Sequence, residues 1–313
     1  MSAAGADAAA RPAVIVVTGP TASGKTALAV ELARRLGGEI VNADSQQVYR
    51  GLDLGTAKPT PVEQAAARHH LLDVSEPGEG MDAARYQALA DAAIAEIASR
   101  DRLPIVAGGT GLYLRTLLHG VARAPGRDPK MRAMLEAEAA RDGRPALHRR
   151  LAAVDPAAAS KIGENDLVRI VRALEIAAGG QTQTEVFGAH RFAEVRYRAR
   201  LLVLDPERAD LHARIDARAL PLFEGLLAEA KTLLERFGGE LPPRLPIGYA
   251  EAREVLAGRL TRDEAVRRVR VAHRRYARRQ VIWLRREPGA EWLRPPLDVE
   301  ALAAGLRTWA GRS

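Results

Sequence analysis

Between the apolar run Ala13-Val14-Ile15-Val16-Val17 and a helix spaced by Leu28, Leu32 and Leu36, the chain reads Gly19-Pro20-Thr21-Ala22-Ser23-Gly24-Lys25-Thr26. A glycine-framed turn between a buried strand and a helix points successive backbone N–H groups inward, and the helix N-terminus adds partial positive charge. Lys25 supplies a full charge, and the Thr26 hydroxyl is suited to hold Mg²⁺. The loop is built to grip a chain of phosphates, whatever reaction follows.

Asp44 ends a second apolar strand (Glu39-Ile40-Val41) within Asn42-Ala43-Asp44-Ser45-Gln46-Gln47. An Asp in that place can hold Mg²⁺ through water, accept a proton from an incoming nucleophile, or cap a turn. Spacing alone leaves all three open. Gly108-Gly109-Thr110-Gly111 follows a further strand and lets backbone approach a ligand or a neighbouring strand. Downstream, Leu211, Ile215, Leu222, Leu226 and Leu233 form one apolar stripe at helical spacing. Arg218 falls close to that stripe and Arg214 beside it, where a guanidinium held against the sheet can clamp an anion. Asp205, at another strand end, reads better as a cap, with Pro206 at the first position of a helix running to about Phe237. The pair His69-His70 suggests a metal, but strand neighbours point to opposite faces and no third ligand is evident, which favours a structural role.

Residues 262–286 hold ten arginines against two acids. On a helical projection Arg267, Arg270, Arg274, Arg278 and Arg285 align, with Arg268, Arg275, Arg279 and Arg286 about 100° away. Val266, Val269, Ala272, Tyr276, Trp283 and Leu284 take the remaining arc with His273 and Gln280, the side expected to pack. Solvated faces usually mix both signs. An almost acid-free ridge roughly 30 Å long suits a nucleic-acid backbone.

These residues need elements to position them. Strand and helix alternate through the first third: strands near 13–18, 39–41 and 103–107, helices near 25–36 and 82–99, and a short helix after residue 111. Buried strands alternating with helices imply a parallel sheet covered on both faces, with ligands at the strand C-termini, a P-loop NTPase-like α/β core. Residues 124–196 lose the strand signal and read as a helical insertion domain. The sheet resumes at Leu201-Leu202-Val203-Leu204, and helices follow near 248–257 and 262–286. The core is thus expected over 13–123 and 197–313, after a disordered tail at 1–12.

Apolar residues make up 47% of the chain, consistent with a sizeable core. The absence of cysteine removes disulfides, thiolate metal sites and a cysteine nucleophile, and fits a reducing compartment. No apolar run approaches a membrane span, and the tail lacks a basic leader, so a cytoplasmic protein without membrane contact is expected. A monomer is the expected assembly, though no residue pattern in the sequence fixes it. The net charge of +8 demands an acidic partner only if it is gathered on one surface, as residues 262–286 suggest.

Taken together, the chain resembles the tRNA dimethylallyltransferases, also called tRNA isopentenyltransferases, of bacterial type. The resemblance is carried by residues 19–26, by Asp-Ser-Gln-Gln-Val-Tyr-Arg-Gly-Leu-Asp-Leu-Gly-Thr-Ala-Lys-Pro at 44–59 and by His-His-Leu-Leu-Asp at 69–73. It continues through Gly-Gly-Thr-Gly-Leu-Tyr at 108–113, Asn-Asp-Leu-Val-Arg-Ile-Val-Arg-Ala-Leu-Glu at 165–175, Ile-Gly-Tyr at 247–249 and Arg-Gln-Val-Ile-Trp-Leu-Arg at 279–285. Departures are Gln46, where an apolar residue is common, and the lack of a basic residue just before Ile247.

The resemblance implies transfer of a dimethylallyl group from dimethylallyl diphosphate to N6 of the adenosine 3′ of the tRNA anticodon, with Mg²⁺ as cofactor. Gly19, Pro20, Thr21, Ala22, Ser23, Gly24, Lys25, Thr26 and Arg214 would then hold diphosphate. Lys25, Thr26 and Arg218 would stabilise its departure, and Asp44 would serve as base. By the same resemblance Asp44, Ser45, Gln46, Gln47, Thr110, Val168, Arg169, Ile170, Val171, Arg172, Arg279, Gln280, Arg285 and Arg286 contact the anticodon stem-loop, beside Arg274 and Arg278 of the ridge. A small-molecule kinase using the same loop, a prenyltransferase of free adenine nucleotides and a non-catalytic RNA-binding module are the alternatives.

Overall fold

The structure, a computed structural model, describes residues 11–243 and 245–312. The expected tail thus falls outside the described residues as far as residue 10. Pro12 is no part of it, because its carbonyl accepts the Arg198 N–H at 3.1 Å. The strands are β1 (Ala13–Thr18), β2 (Gly38–Asn42), β3 (His69–His70), β4 (Leu103–Ala107), β5 (Arg198–Leu204) and β6 (Ala290–Leu293). The helices are α1 (Lys25–Leu36), α2 (Pro61–Ala66), α3 (Ala83–Ser99), α4 (Gly111–His119), α5 (Pro129–Asp142), α6 (Arg144–Val154), α7 (Pro156–Ala159), α8 (Leu167–Ala178), α9 (Gln183–His190), α10 (Arg208–Arg236), α11 (Tyr249–Leu256), α12 (Arg262–Leu284) and α13 (Val299–Ala310). None of the described helices is long and apolar enough to cross a membrane.

All strands pair in parallel, in the order β3-β2-β4-β1-β5-β6. They are near-continuous apolar runs because both faces are covered. Val14 and Val16 enter one core with Tyr86, Ile94, Leu114 and Leu117 of α3 and α4. Ile15 and Val17 enter the other, with Leu28, Leu32 and Leu36 of α1 and Leu306 of α13. From β1 the chain moves to β2 on one side, and from β4 to β5 on the other. The crevice at the C-terminal ends of these strands is therefore the switch point of the sheet, where such folds bind ligands.

The chain divides into two compact units, one made of the sheet and its helices, the other of His119–Glu194. The second unit is helical, with Leu135, Leu147, Leu151, Ile170 and Leu174 at its centre. It begins before the expected residue 124 because Ala122 already packs on Ile176 and Val186.

Asp205 and Pro206 do not start α10. The Asp205 N–H donates to Leu293 O at 2.9 Å, prolonging the β5–β6 pairing, and the helix begins after Glu207. With α11 and α12 this helix builds a third core around Phe223, Leu226, Tyr249 and Val269. On α12, His273 Nδ1 donates to Val269 O at 3.0 Å. Burial, and then the nearby Arg218 guanidinium, push its pKa down to about 4.

Two consequences for stability follow from this packing. A Cβ on Gly108 would lie 2.2 Å from the backbone carbon and oxygen of Ala43, and neither atom can yield. Gly108→Ala is expected to destabilise the fold by about 2 kcal/mol or more in urea unfolding. His273 stays neutral in the fold while an unfolded chain takes up a proton below the usual value of 6.5. In that window the unfolded state binds more protons, so stability falls as pH drops from 6.5 towards 4. His273→Gln is expected to flatten that stretch of the stability–pH curve.

Candidate active site

Three strand ends meet at the crevice. After β1 the chain turns through residues 19–24, closed by the Ser23 N–H to Pro20 O bond of 3.2 Å. Gly24 caps α1 in the left-handed region, at φ 95°, and offers no side chain to the first helical turn. The N–H groups there stay free of a side-chain acceptor and point partial positive charge forward. After β4, the Gly108 N–H reaches Val17 O and the Thr110 N–H reaches Ala43 O, each at 3.2 Å, locking this loop to its neighbours.

A small polar cavity of about 60 Å³ lies at this junction. Lys25, Thr26, Asp44, Gln47 and Arg218 line it, with Thr21, Thr56, Ala57, Ala107 and Gly108. Lys25 Nζ stands 3.5 Å from Pro20 O, and Arg218 Nη2 donates to Thr21 Oγ1 at 3.1 Å. Burial lowers the Lys25 pKa, with Asp44 opposing and Arg218 adding to the shift. Burial also lowers that of Arg218, again opposed by Asp44. Two cations thus share a desolvated place with one carboxylate. Such a cavity is electrostatically incomplete without an anion.

Asp44 is both turn cap and cavity wall: its Oδ1 accepts the Gln46 N–H at 2.9 Å, and the carboxylate still lines the cavity. Arg214 takes a different place from the one expected. Its Nη1 donates to Ser23 O at 3.4 Å, bracing the loop, and it is absent from the cavity lining. Ser45 and Thr110 tie two strand ends together through the Ser45 N–H to Thr110 Oγ1 bond of 2.8 Å.

Gln280 corrects one reading and supports another. Helical periodicity puts it on the packing side of α12, whereas the family resemblance puts it among RNA contacts. It is buried, accepting the Thr21 N–H at 2.8 Å and donating to Gly109 O at 2.9 Å. It therefore splints the phosphate loop to the glycine loop and offers nothing to solvent. Ile170 and Val171 are likewise in the core of the helical unit and unavailable to RNA, whereas Val168 and Arg169 of the same helix are exposed and Arg172 is half-buried. Arg172 donates to Pro125 O at 2.8 Å.

On α12 the arginines separate into two groups. Arg262 pairs with Glu224, Arg267 and Arg268 with Glu264, and Arg274 with Asp216 of α10. Arg274, expected on the open ridge, is thus largely neutralised. Arg270, Arg275, Arg278, Arg279, Arg285 and Arg286 are exposed, and among the described residues no carboxylate is found paired with them. The free charge is concentrated in the C-terminal half of the helix. His70 Nε2 meets Glu39 Oε2 at 2.7 Å, a structural role, and no cluster of three metal-binding side chains occurs among the described residues. Sequence reasoning did not assign Thr56 and Ala57 to the cavity wall, although both lie in the 44–59 stretch that carries the resemblance, since neither side chain is charged.

The chain is similar to known proteins in sequence and in fold. A family model described as IPP transferase matches residues 47–287. The chain is 73% identical over 291 residues to a tRNA dimethylallyltransferase of Anaeromyxobacter dehalogenans (strain 2CP-C), covering 93% of this chain and 97% of that one. It is 54% identical to a tRNA dimethylallyltransferase of Myxococcus xanthus, over 92% and 94% of the two chains. Among solved structures it is similar to a tRNA isopentenylpyrophosphate transferase of Bacillus halodurans, with 36% identity, TM-score 0.67 and 96% of each chain covered. A eukaryotic dimethylallyltransferase acting on tRNA gives TM-score 0.79 at 26% identity, over 96% of this chain and 80% of that one. On the extent of the family match and these identities, the chain belongs to the IPP transferase family.

Proposed function

We propose that the protein transfers the dimethylallyl group of dimethylallyl diphosphate to N6 of the adenosine 3′-adjacent to the anticodon in tRNA, releasing diphosphate. The observation that carries the reading is the cavity in which Lys25, Arg218 and the α1 N-terminus face the carboxylate of Asp44. The names of the relatives speak of tRNA and of a dimethylallyl group; the diphosphate donor and the adenosine N6 are part of this proposal. The cavity explains why this chain could use them.

Lys25 and Arg218 bind the diphosphate, with the backbone N–H groups of residues 24–26 at the start of α1 around it, and the bound anion relieves their mutual repulsion. As the bond between the dimethylallyl carbon and diphosphate oxygen breaks, negative charge grows on the leaving group, where these donors already point. N6 forms the new bond to that carbon, and Asp44 accepts the N6 proton, so the products are N6-alkylated RNA and diphosphate. Mg²⁺ fits the donor set. The Thr26 hydroxyl and Asp44 carboxylate are hard oxygen ligands in one cavity, and this ion favours few protein oxygens with substrate phosphates and water. Thr26 would hold it, and when bound it adds neutralising charge to the diphosphate.

The adenine must leave the anticodon stack to reach this depth. Arg270, Arg275, Arg278, Arg279, Arg285 and Arg286 supply a backbone-binding surface, and Val168, Arg169 and Arg172 a second set of contacts on the helical unit. A monomer working in the cytoplasm, where tRNA is met, is part of the same proposal.

Incubation with labelled dimethylallyl diphosphate and an anticodon stem-loop is expected to place the label on RNA with one diphosphate released per transfer. Phosphorylation of a small acceptor from ATP, with the prenyl donor inert, would overturn the proposal. Asp44→Asn is expected to fold and bind both substrates but lose at least about a hundredfold in kcat. Unchanged turnover would remove Asp44 from the role of base. Replacing Arg275 and Arg278 together with Gln is expected to reduce the slope of log affinity against log salt for tRNA by about 1.5. A slope equal to that of the parent protein would place the RNA elsewhere.

A further inference from the structure

Glu229 lies on α10 and takes no part in the reaction as derived, yet its carboxylate is heavily engaged. Oε1 accepts the backbone N–H groups of Asp53 at 2.8 Å and Leu54 at 2.6 Å. Oε2 accepts the Gly55 N–H at 3.0 Å and the Tyr249 hydroxyl at 2.5 Å. Three successive N–H groups turned onto one carboxylate form an anion nest, with charge-assisted bonds stronger than neutral ones. Gly55 fits closely there: a Cβ would come within 2.5 Å of Leu226 Cδ2 and 2.9 Å of the Tyr249 hydroxyl, and those side chains would have to shift. Burial, reinforced by Glu229, raises the Tyr249 pKa and keeps that hydroxyl a donor.

The same loop is pinned at its other end by Lys58, a buried ammonium held by Tyr49 O at 3.0 Å, Asp73 Oδ1 at 2.7 Å and the Asp53 carboxylate. Between the two anchors lie Thr56 and Ala57, both in the cavity wall. Their carbonyls stand 3.2 and 3.0 Å from Gln47 Nε2. Carbonyls only accept, so both amide hydrogens of Gln47 are taken and its orientation is settled by chemistry. Oε1 is the remaining polar atom, a pure acceptor on a side chain that lines the cavity with Asp44.

We propose that Glu229 is a positioning residue for the cavity: by holding the backbone of residues 53–55 it sets the Thr56 and Ala57 carbonyls that lock the Gln47 amide. The cavity then offers two acceptors, the Asp44 carboxylate and Gln47 Oε1, to an amino group bearing two hydrogens. This catalytic consequence rests on the adenosine N6 reading above. The positioning itself does not.

The test is Glu229→Gln, which keeps size but places an NH2 group against N–H donors. In the free protein, hydrogen exchange at residues 53–55 is expected to accelerate, and the two Gln47 side-chain amide hydrogens to move to the shifts of a solvent-exposed glutamine. With the anticodon stem-loop, kcat is expected to fall about tenfold while KM for dimethylallyl diphosphate changes by less than about twofold. In a Gln47→Ala background the same substitution is expected to cost no further kcat. Tyr249→Phe, which removes one donor and leaves the nest, carries the same comparisons with a smaller effect should Glu229→Gln fail to fold. Unaltered exchange at 53–55, or losses that multiply in the double variant, would overturn the proposal. A parent protein that alkylates no RNA would count against the proposed function instead, while the exchange measurement, made without substrates, still decides the role of Glu229.

Discussion

Lys25 and Arg218 bring like charges into one small cavity, and the surroundings work to keep them there. Each is drawn from water at a cost that only opposite charge offsets. Asp44 supplies part of that charge, and in the proposed function an incoming diphosphate supplies the rest. The arrangement is therefore poised: binding the anion relieves a repulsion already present, and the further charge that develops on the leaving group meets donors already in place. Catalysis of this kind depends on rigidity more than on the number of groups.

Rigidity comes from two devices that carry no catalytic chemistry of their own. The parallel sheet brings the ends of β1, β2 and β4 together, and the close approach of Gly108 to Ala43 leaves no slack between them. Across the top, the Gln280 carboxamide spans from Thr21 N–H to Gly109 O. That couples α12 to the phosphate loop. One helix thus buries Gln280 beside the site and exposes its cationic ridge outside, so in the proposed function RNA on the ridge and diphosphate in the loop would share a single element.

Much of this was legible in the sequence, for identifiable reasons. The phosphate loop needs particular residue types at fixed spacing, so it announces itself locally. Arg218 was found by helical periodicity alone, since its place beside the Leu211–Leu233 stripe follows from 100° steps. Other features depend on partners far away in the chain. Arg274 looks like its neighbours until Asp216, on another helix, takes its charge. Asp205 has the residue types of a cap, but β6 claims its backbone, and the short mixed segment Ala290–Leu293 gives no strand signal. A run read from resemblance also conceals its helical phase: within 168–172, Ile170 and Val171 face the core while Val168 and Arg169 face out. Gln280 shows the same conflict, and there the period was the better guide.

The most direct measurement is a crystal structure with a non-cleavable dimethylallyl diphosphate, its bridging oxygen replaced by sulfur. The account predicts the diphosphate between Lys25 and Arg218 against the α1 N-terminus, with the reactive carbon directed towards Asp44. A diphosphate bound outside this cavity, or an Asp44 carboxylate turned away from the dimethylallyl carbon, would contradict it.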